Sequence, residues 1–192
     1  MSRIEFYHID PAEKTAIFTE IATQKGMKPF AVEKDWWVSR TLNIIFQMDI
    51  AKRTFLEKLF LLHEEFHRPM EKMRVDRLSR HLYDIYHLTK AGIAANTIND
   101  KELYETIVSH RYKFSRVGEV DYNLHNPKTL NPIPPQKVIA DWKTDYAKMK
   151  EDMIYEEKKP GFEDLINNLQ DVRIHLQSVE WCFELTFPIA KH

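Results

Sequence analysis

The chain has 192 residues, 43% of them hydrophobic and 30% charged, with a formal net charge of -1 and a pI near 6.8. That length can bury a real core, and so even a charge balance excludes a global drive towards nucleic acid, leaving only local basic patches. The single Cys182 cannot form an internal disulfide, and no apolar run is long enough to span a bilayer. The opening MSRIEFYHIDPAEK lacks the basic-then-apolar build of a secretion signal, so the expectation is a cytoplasmic protein that makes no membrane contact.

Taken in chain order, Asp10-Pro11-Ala12-Glu13 is a helix start: an N-cap acid, a first-turn proline and a capping-box glutamate. Ile17, Phe18 and Ile21 recur at helical spacing before Gly26. A second helix follows Pro29, carrying Val32, Trp36, Trp37, Leu42, Ile45 and Phe46. The third runs from Thr54 to His67 and ends at Pro69, with the stripe Phe55, Leu59, Leu62 and Phe66 flanked by Leu56 and Phe60. The fourth spans Asp76 to Lys90, and the fifth begins at Asn99-Asp100 and reaches Tyr112.

Four prolines in the segment from Asn126 to Pro135 predict an ordered loop. Two helices follow, Gln136 to Glu156 and Phe162 to Gln177, separated by Lys159-Pro160-Gly161. At the end, Trp181, Phe183, Leu185 and Phe187 alternate with Cys182, Glu184 and Thr186, which is strand periodicity. Ile4 and Phe6 are candidates for a partner strand. The expected fold is mainly α: a helical bundle of about six to seven helices with at most a short terminal β-ribbon. It is expected to form one domain over 1–192.

Two readings of function meet in the third helix. His63-Glu64-Glu65-Phe66-His67 spells H-E-x-x-H. Histidines at i and i+4 share a helix face, and the glutamate between them can act as base on a metal-bound water. A zinc hydrolase built on His63, Glu64 and His67 is therefore one reading. No third ligand follows in a recognisable motif, because the chain continues Arg68-Pro69-Met70-Glu71-Lys72-Met73 and Pro69 stops the helix. The plain alternative is two histidines that hydrogen-bond locally at a helix edge, and no metal is expected.

The second reading rests on several linked segments. Val32-Glu33-Lys34-Asp35-Trp36-Trp37-Val38, then Thr54-Phe55-Leu56-Glu57-Lys58-Leu59 with Leu62-His63 and His67-Arg68-Pro69, then Arg77-Leu78-Ser79-Arg80-His81-Leu82-Tyr83-Asp84-Ile85-Tyr86 stand in that order. His110-Arg111-Tyr112-Lys113-Phe114, Asp121-Tyr122, Leu130 to Pro134 and Trp142 to Tyr155 follow. Together they resemble the AbiEii/AbiGii-type nucleotidyltransferase-like toxins of toxin–antitoxin and phage-abortive systems. The matching segments are an N-terminal part, 1–46, and a C-terminal part, 53–178, with 179–192 left as a terminal strand.

The resemblance implies nucleotidyl transfer to an acceptor, with Mg²⁺ and a nucleoside triphosphate as cofactors. It implies that Lys58 contacts nucleotide phosphates and that Asp84 is the late-motif aspartate. In the family, a Gly-Gly-Thr/Ser turn and an Asp-x-Asp pair lie between the first two segments. Such a turn offers backbone N–H groups to phosphates, and the carboxylates hold the metal. Here that interval, 39–53, has no glycine and the single acid Asp49, and Asp-x-Asp occurs nowhere in the chain. The expectation is a family member that is not an enzyme on its own and needs no cofactor.

Arg77, His81 and Asp84 fall at i, i+4 and i+7, and Arg80 reaches Asp84 at i+4, so one helix edge is expected to present both charge types. A protein remnant exposing apolar area is expected to self-associate or to bind a protein partner such as an antitoxin. A third reading is RNA binding through Arg68, Arg74, Arg77 and Arg111. The run from His110 to Arg116 interleaves cations and aromatics as single-strand binders do, or is a helix end whose cations complement the dipole. Trp36 and Trp37 with Phe30 could stack a base, although aromatics on an amphipathic helix more often face a core.

Overall fold

The computed structural model describes residues 9–47, 50–153 and 159–188. These residues form eight α-helices and no strand: α1 (Pro11–Lys25), α2 (Pro29–Gln47), α3 (Ile50–Phe66), α4 (Arg80–Lys90), α5 (Ile93–Ile98), α6 (Lys101–Phe114), α7 (Ile139–Met153) and α8 (Phe162–Gln177). The mainly α expectation holds. The chain divides into two compact units, Met1–Asp49 and Ile50–His192.

The first unit is the α1–α2 hairpin. Asp10 starts α1 as its sequence dictates, its carboxylate accepting the Ala12 N–H at 2.9 Å, and Gly26 closes the helix at φ 65°. Phe18 and Ala22 are buried, and Phe18 meets the ring of Trp36 at 6.1 Å. Phe30 and Trp37 stand exposed, so a core role among these aromatics fits Trp36 alone.

In the second unit α3 is the central helix and packs against α4, α5 and α6. Its predicted stripe is buried in full, and burial extends round the helix to His63, Glu64 and Glu65. An arc that wide brings charged residues inside, and each then requires a partner.

The fourth helix departs from its expected start. Helical geometry begins at Arg80 rather than Asp76, and Arg77 takes the left-handed conformation at φ 58°. Asp145 of α7 accepts the N–H groups of Arg77 (2.8 Å) and Ser79 (3.0 Å), so the turn leading into α4 is anchored by a distant helix. α5 was not anticipated, because six residues following the left-handed Gly92 are too few to show a period.

The proline segment is an ordered loop, as expected. Leu130, Pro132 and Pro134 are buried, and the Asn126 carbonyl accepts from Thr129 and Leu130. The expected end of α7 near Glu156 lies outside the described residues.

The terminal strand is corrected. Residues 181–187 carry no regular secondary structure; their exposure alternates as the sequence requires, but among the described residues they pair with no strand. Trp181, Phe183, Leu185 and Phe187 pack onto the helical core instead. Trp181 donates its indole N–H to the Ile98 carbonyl (3.1 Å), and Glu105 accepts the Glu184 N–H (2.7 Å). The Asn123 amide clamps the Phe187 backbone through two hydrogen bonds of 2.9 Å. This strap satisfies the two-residue period with helices as its floor. Ile4 and Phe6, the suggested partner strand, lie outside the described residues. No described helix is long and apolar enough to cross a membrane.

Candidate functional site around Lys58

Lys58 lies on the flank of α3 and faces α4. Its Nζ donates to Asp84 Oδ2 at 2.6 Å and stands 3.5 Å from His81 Nδ1. Burial, followed by the charges of Lys58 and Arg80, pushes His81 down to about 4 against the opposing pull of Asp84. His81 is therefore neutral near pH 7 and faces the lysine as a lone pair rather than as a second cation. Lys58 also lines an open cleft of about 330 Å³ with Arg53, Thr54, Glu57, Leu61 and Arg111.

The structure thus brings together three of the anticipated residues, Lys58, His81 and Asp84, and leaves out two. Arg77 precedes α4 in its left-handed turn, so the i, i+4, i+7 edge does not exist, and its side chain is exposed. Arg80 is exposed as well, and Asp84 pairs with Lys58 instead.

Behind the cleft lies a network that the motifs did not reveal. Arg111 of α6 points inward and forks onto Glu64, Nε to Oε1 at 2.8 Å and Nη2 to Oε2 at 2.5 Å, while Nη1 reaches Glu57 at 2.5 Å. His125 Nε2 donates to Glu64 Oε1 at 3.2 Å, since an ionised carboxylate can only accept. Burial alone would raise the Glu64 carboxyl. The hydrogen bonds from Arg111 and His125 outweigh that and hold it below the usual glutamate value. Burial works against the Arg111 charge too, and Glu64 with Glu57 raises its pKa instead. A signal was available, because Arg111 continues the buried positions Tyr104, Ile107 and Val108 at helical spacing. The run from His110 to Arg116 is thus not a uniform cationic end.

The same network decides what the H-E-x-x-H letters are. His63 Nδ1 accepts the Asn131 N–H at 3.0 Å, which places the ring proton on Nε2 and removes both nitrogens as ready ligands. His67 Nδ1 donates to the His63 carbonyl at 2.7 Å within its own helix. Glu64, the base of the zinc reading, is held by Arg111. Among the described residues no three His, Cys, Asp or Glu side chains are placed to share a metal ion. His67 follows the local hydrogen-bonding alternative, whereas His63 is buried and bonds Asn131, 68 residues further along the chain.

The arginines of the RNA reading are also engaged. Buried Glu65 takes Arg74 through its backbone N–H (2.6 Å) and its guanidinium (2.7 and 3.0 Å), and Arg68 lies 3.2 Å away. Arg111 is internal, and Arg77 alone of the four projects without an ion pair among the described residues.

A family model described as the nucleotidyl transferase AbiEii toxin of type IV toxin–antitoxin systems matches residues 9–168. The chain belongs to the AbiEii family. No curated protein and no solved structure gives a significant match. The AbiEii match runs from the start of α1 into α8 and so includes Lys58, Asp84 and Arg111, whereas the strap lies beyond it. The boundary between the two units, at Asp49 and Ile50, falls inside the 39–53 interval, which has no glycine and the single acid Asp49.

The residues present do not fit the metal that AbiEii chemistry implies. Asp84 is committed to Lys58 and Glu57 to Arg111, and among the described residues lining the cleft Glu57 is the one carboxylate. A phosphate arriving at Lys58 would have to compete with a 2.6 Å ion pair.

Proposed function

We propose that this AbiEii-family chain works in the cytoplasm in a toxin–antitoxin or phage-defence setting without transferring nucleotides by itself. One observation carries the reading: the pairing of Lys58 with Asp84, in a chain whose 39–53 interval lacks the glycine turn and paired aspartates. In-line phosphoryl chemistry depends on a metal and on preorganised phosphate contacts, and one lysine with one aspartate supplies neither. Lys58 and Asp84 are then the residue of a catalytic site, kept as an ion pair that joins α3 to α4. The chain then acts through self-association or through a protein partner such as an antitoxin.

Calorimetric titration of the chain with Mg²⁺ and each ribonucleoside triphosphate tests this, with Lys58→Ala in parallel and nucleotide transfer to tRNA as the activity readout. The expected result is no saturable heat and no transfer. Saturable binding that Lys58→Ala abolishes, accompanied by transfer, would overturn the proposal.

A further inference from the structure

The outward face of α6 carries a charge pattern that is complementary to itself. Glu102 and Glu105 stand towards its N-terminal end, Lys113 lies in its last turn, and Arg116 follows just beyond it. Ser109 is the midpoint: Glu105 and Lys113 each lie four residues from it, and Glu102 and Arg116 each lie seven. Two such helices crossing antiparallel at Ser109 would bring Glu105 against Lys113 twice over, whereas Arg116 lies past the helix end over the Tyr112 ring. A small residue at the crossing point lets the backbones approach.

Three further observations fit this arrangement. Glu102 and Lys113 are exposed and form no ion pair among the described residues. Glu105 gives one carboxylate oxygen to the Glu184 N–H, which leaves the other for a partner. Phe114 at the end of α6 is 74% exposed, its ring against His110 at 4.8 Å, beside a shallow cleft of about 450 Å³ that runs along the face to Leu185.

We infer that this face binds a second copy of the chain in a two-fold symmetric dimer, with α6 packed antiparallel on α6 and each Phe114 seated against the partner's end of the cleft. A closed two-fold contact needs one self-complementary patch, and the reversed order of charge along one helix face is that pattern. The pairs lie near the rim of such a contact, so they set register and orientation while the aromatic ring supplies apolar burial.

Sedimentation equilibrium on the full chain, in low and high salt, tests the inference. The wild type is expected to dimerise, and more weakly in high salt. Lys113→Glu and Phe114→Ser, both at exposed positions, should each weaken the dimer on the order of tenfold with unchanged circular dichroism. Adding Glu105→Lys to Lys113→Glu should restore it, and a double variant as weak as the single would overturn the antiparallel register. A wild type monomeric at about 100 μM, or a dimer that Lys113→Glu and Phe114→Ser leave intact, would overturn the assignment itself.

Discussion

Glu64 and Glu65 are neighbours on a helix otherwise surrounded by apolar side chains, and each is tolerated because an arginine reaches it. For Glu64 the partner is itself buried, so removing one member strands a charge. Arg111→Met is expected to cost about 3–5 kcal/mol. Arg111→Met with Glu64→Leu should recover much of that, because a dry apolar pair replaces a desolvated ionic one. Urea midpoints of the two variants decide the matter; equal losses would mean that Arg111 acts through packing alone.

His81 makes a prediction of opposite chemical sense. Its folded-state pKa, about 4, lies below the ordinary 6.5, so the unfolded chain takes up the proton first as the pH falls. Stability is therefore complete above pH 6.5 and declines towards pH 4, by up to roughly 3 kcal/mol from this residue. His63 and His125, also lowered by burial, act in the same direction. Unfolding free energies measured between pH 7.5 and 4.5 should flatten in His81→Gln by the His81 share, and an unchanged slope would remove it from the account.

At the level of elements, the sequence was most legible where a helix organises itself. α1 carries its own cap, proline and closing glycine, and α3 displays a full apolar stripe, so both could be read locally. α4 could not, because the turn leading into it is held by Asp145, 66 residues beyond Ser79. Asp145→Ala is accordingly expected to cost about 1–2 kcal/mol, while Asp76→Ala, at the helix start that the sequence suggested, should shift thermal stability by less than about 0.5 kcal/mol. The reverse ranking would restore Asp76 as the start signal. Within the candidate site, Lys58 and Asp84 could be found from motifs, but their pairing could not, since it depends on how α3 and α4 pack. Arg111 was hidden for a related reason: a charged residue in a cationic run reads as surface until its place in the helical period is counted.

For the whole molecule, the core of the second unit is drawn, among the described residues, from Ala51 to Val179. A fragment spanning 50–192 should therefore fold alone with a cooperative melt and retain the near-ultraviolet dichroism of buried Trp142 and Tyr104. A fragment lacking cooperativity would mean that the hairpin is needed to complete the second unit. The AbiEii match bridges both units, so family membership is a property of the linked pair while folding is expected to be separable.

The strap carries a constraint of parity. Its inward residues, Trp181, Phe183, Leu185 and Phe187, differ from the outward ones by odd or even position, and among the described residues no strand pairs with them. One residue inserted after Glu180 would turn Cys182, Glu184 and Thr186 towards the core and carry Phe187 past the Asn123 clamp, whereas two would restore the odd–even order. Length variation at this end of the chain should accordingly be accepted in steps of two.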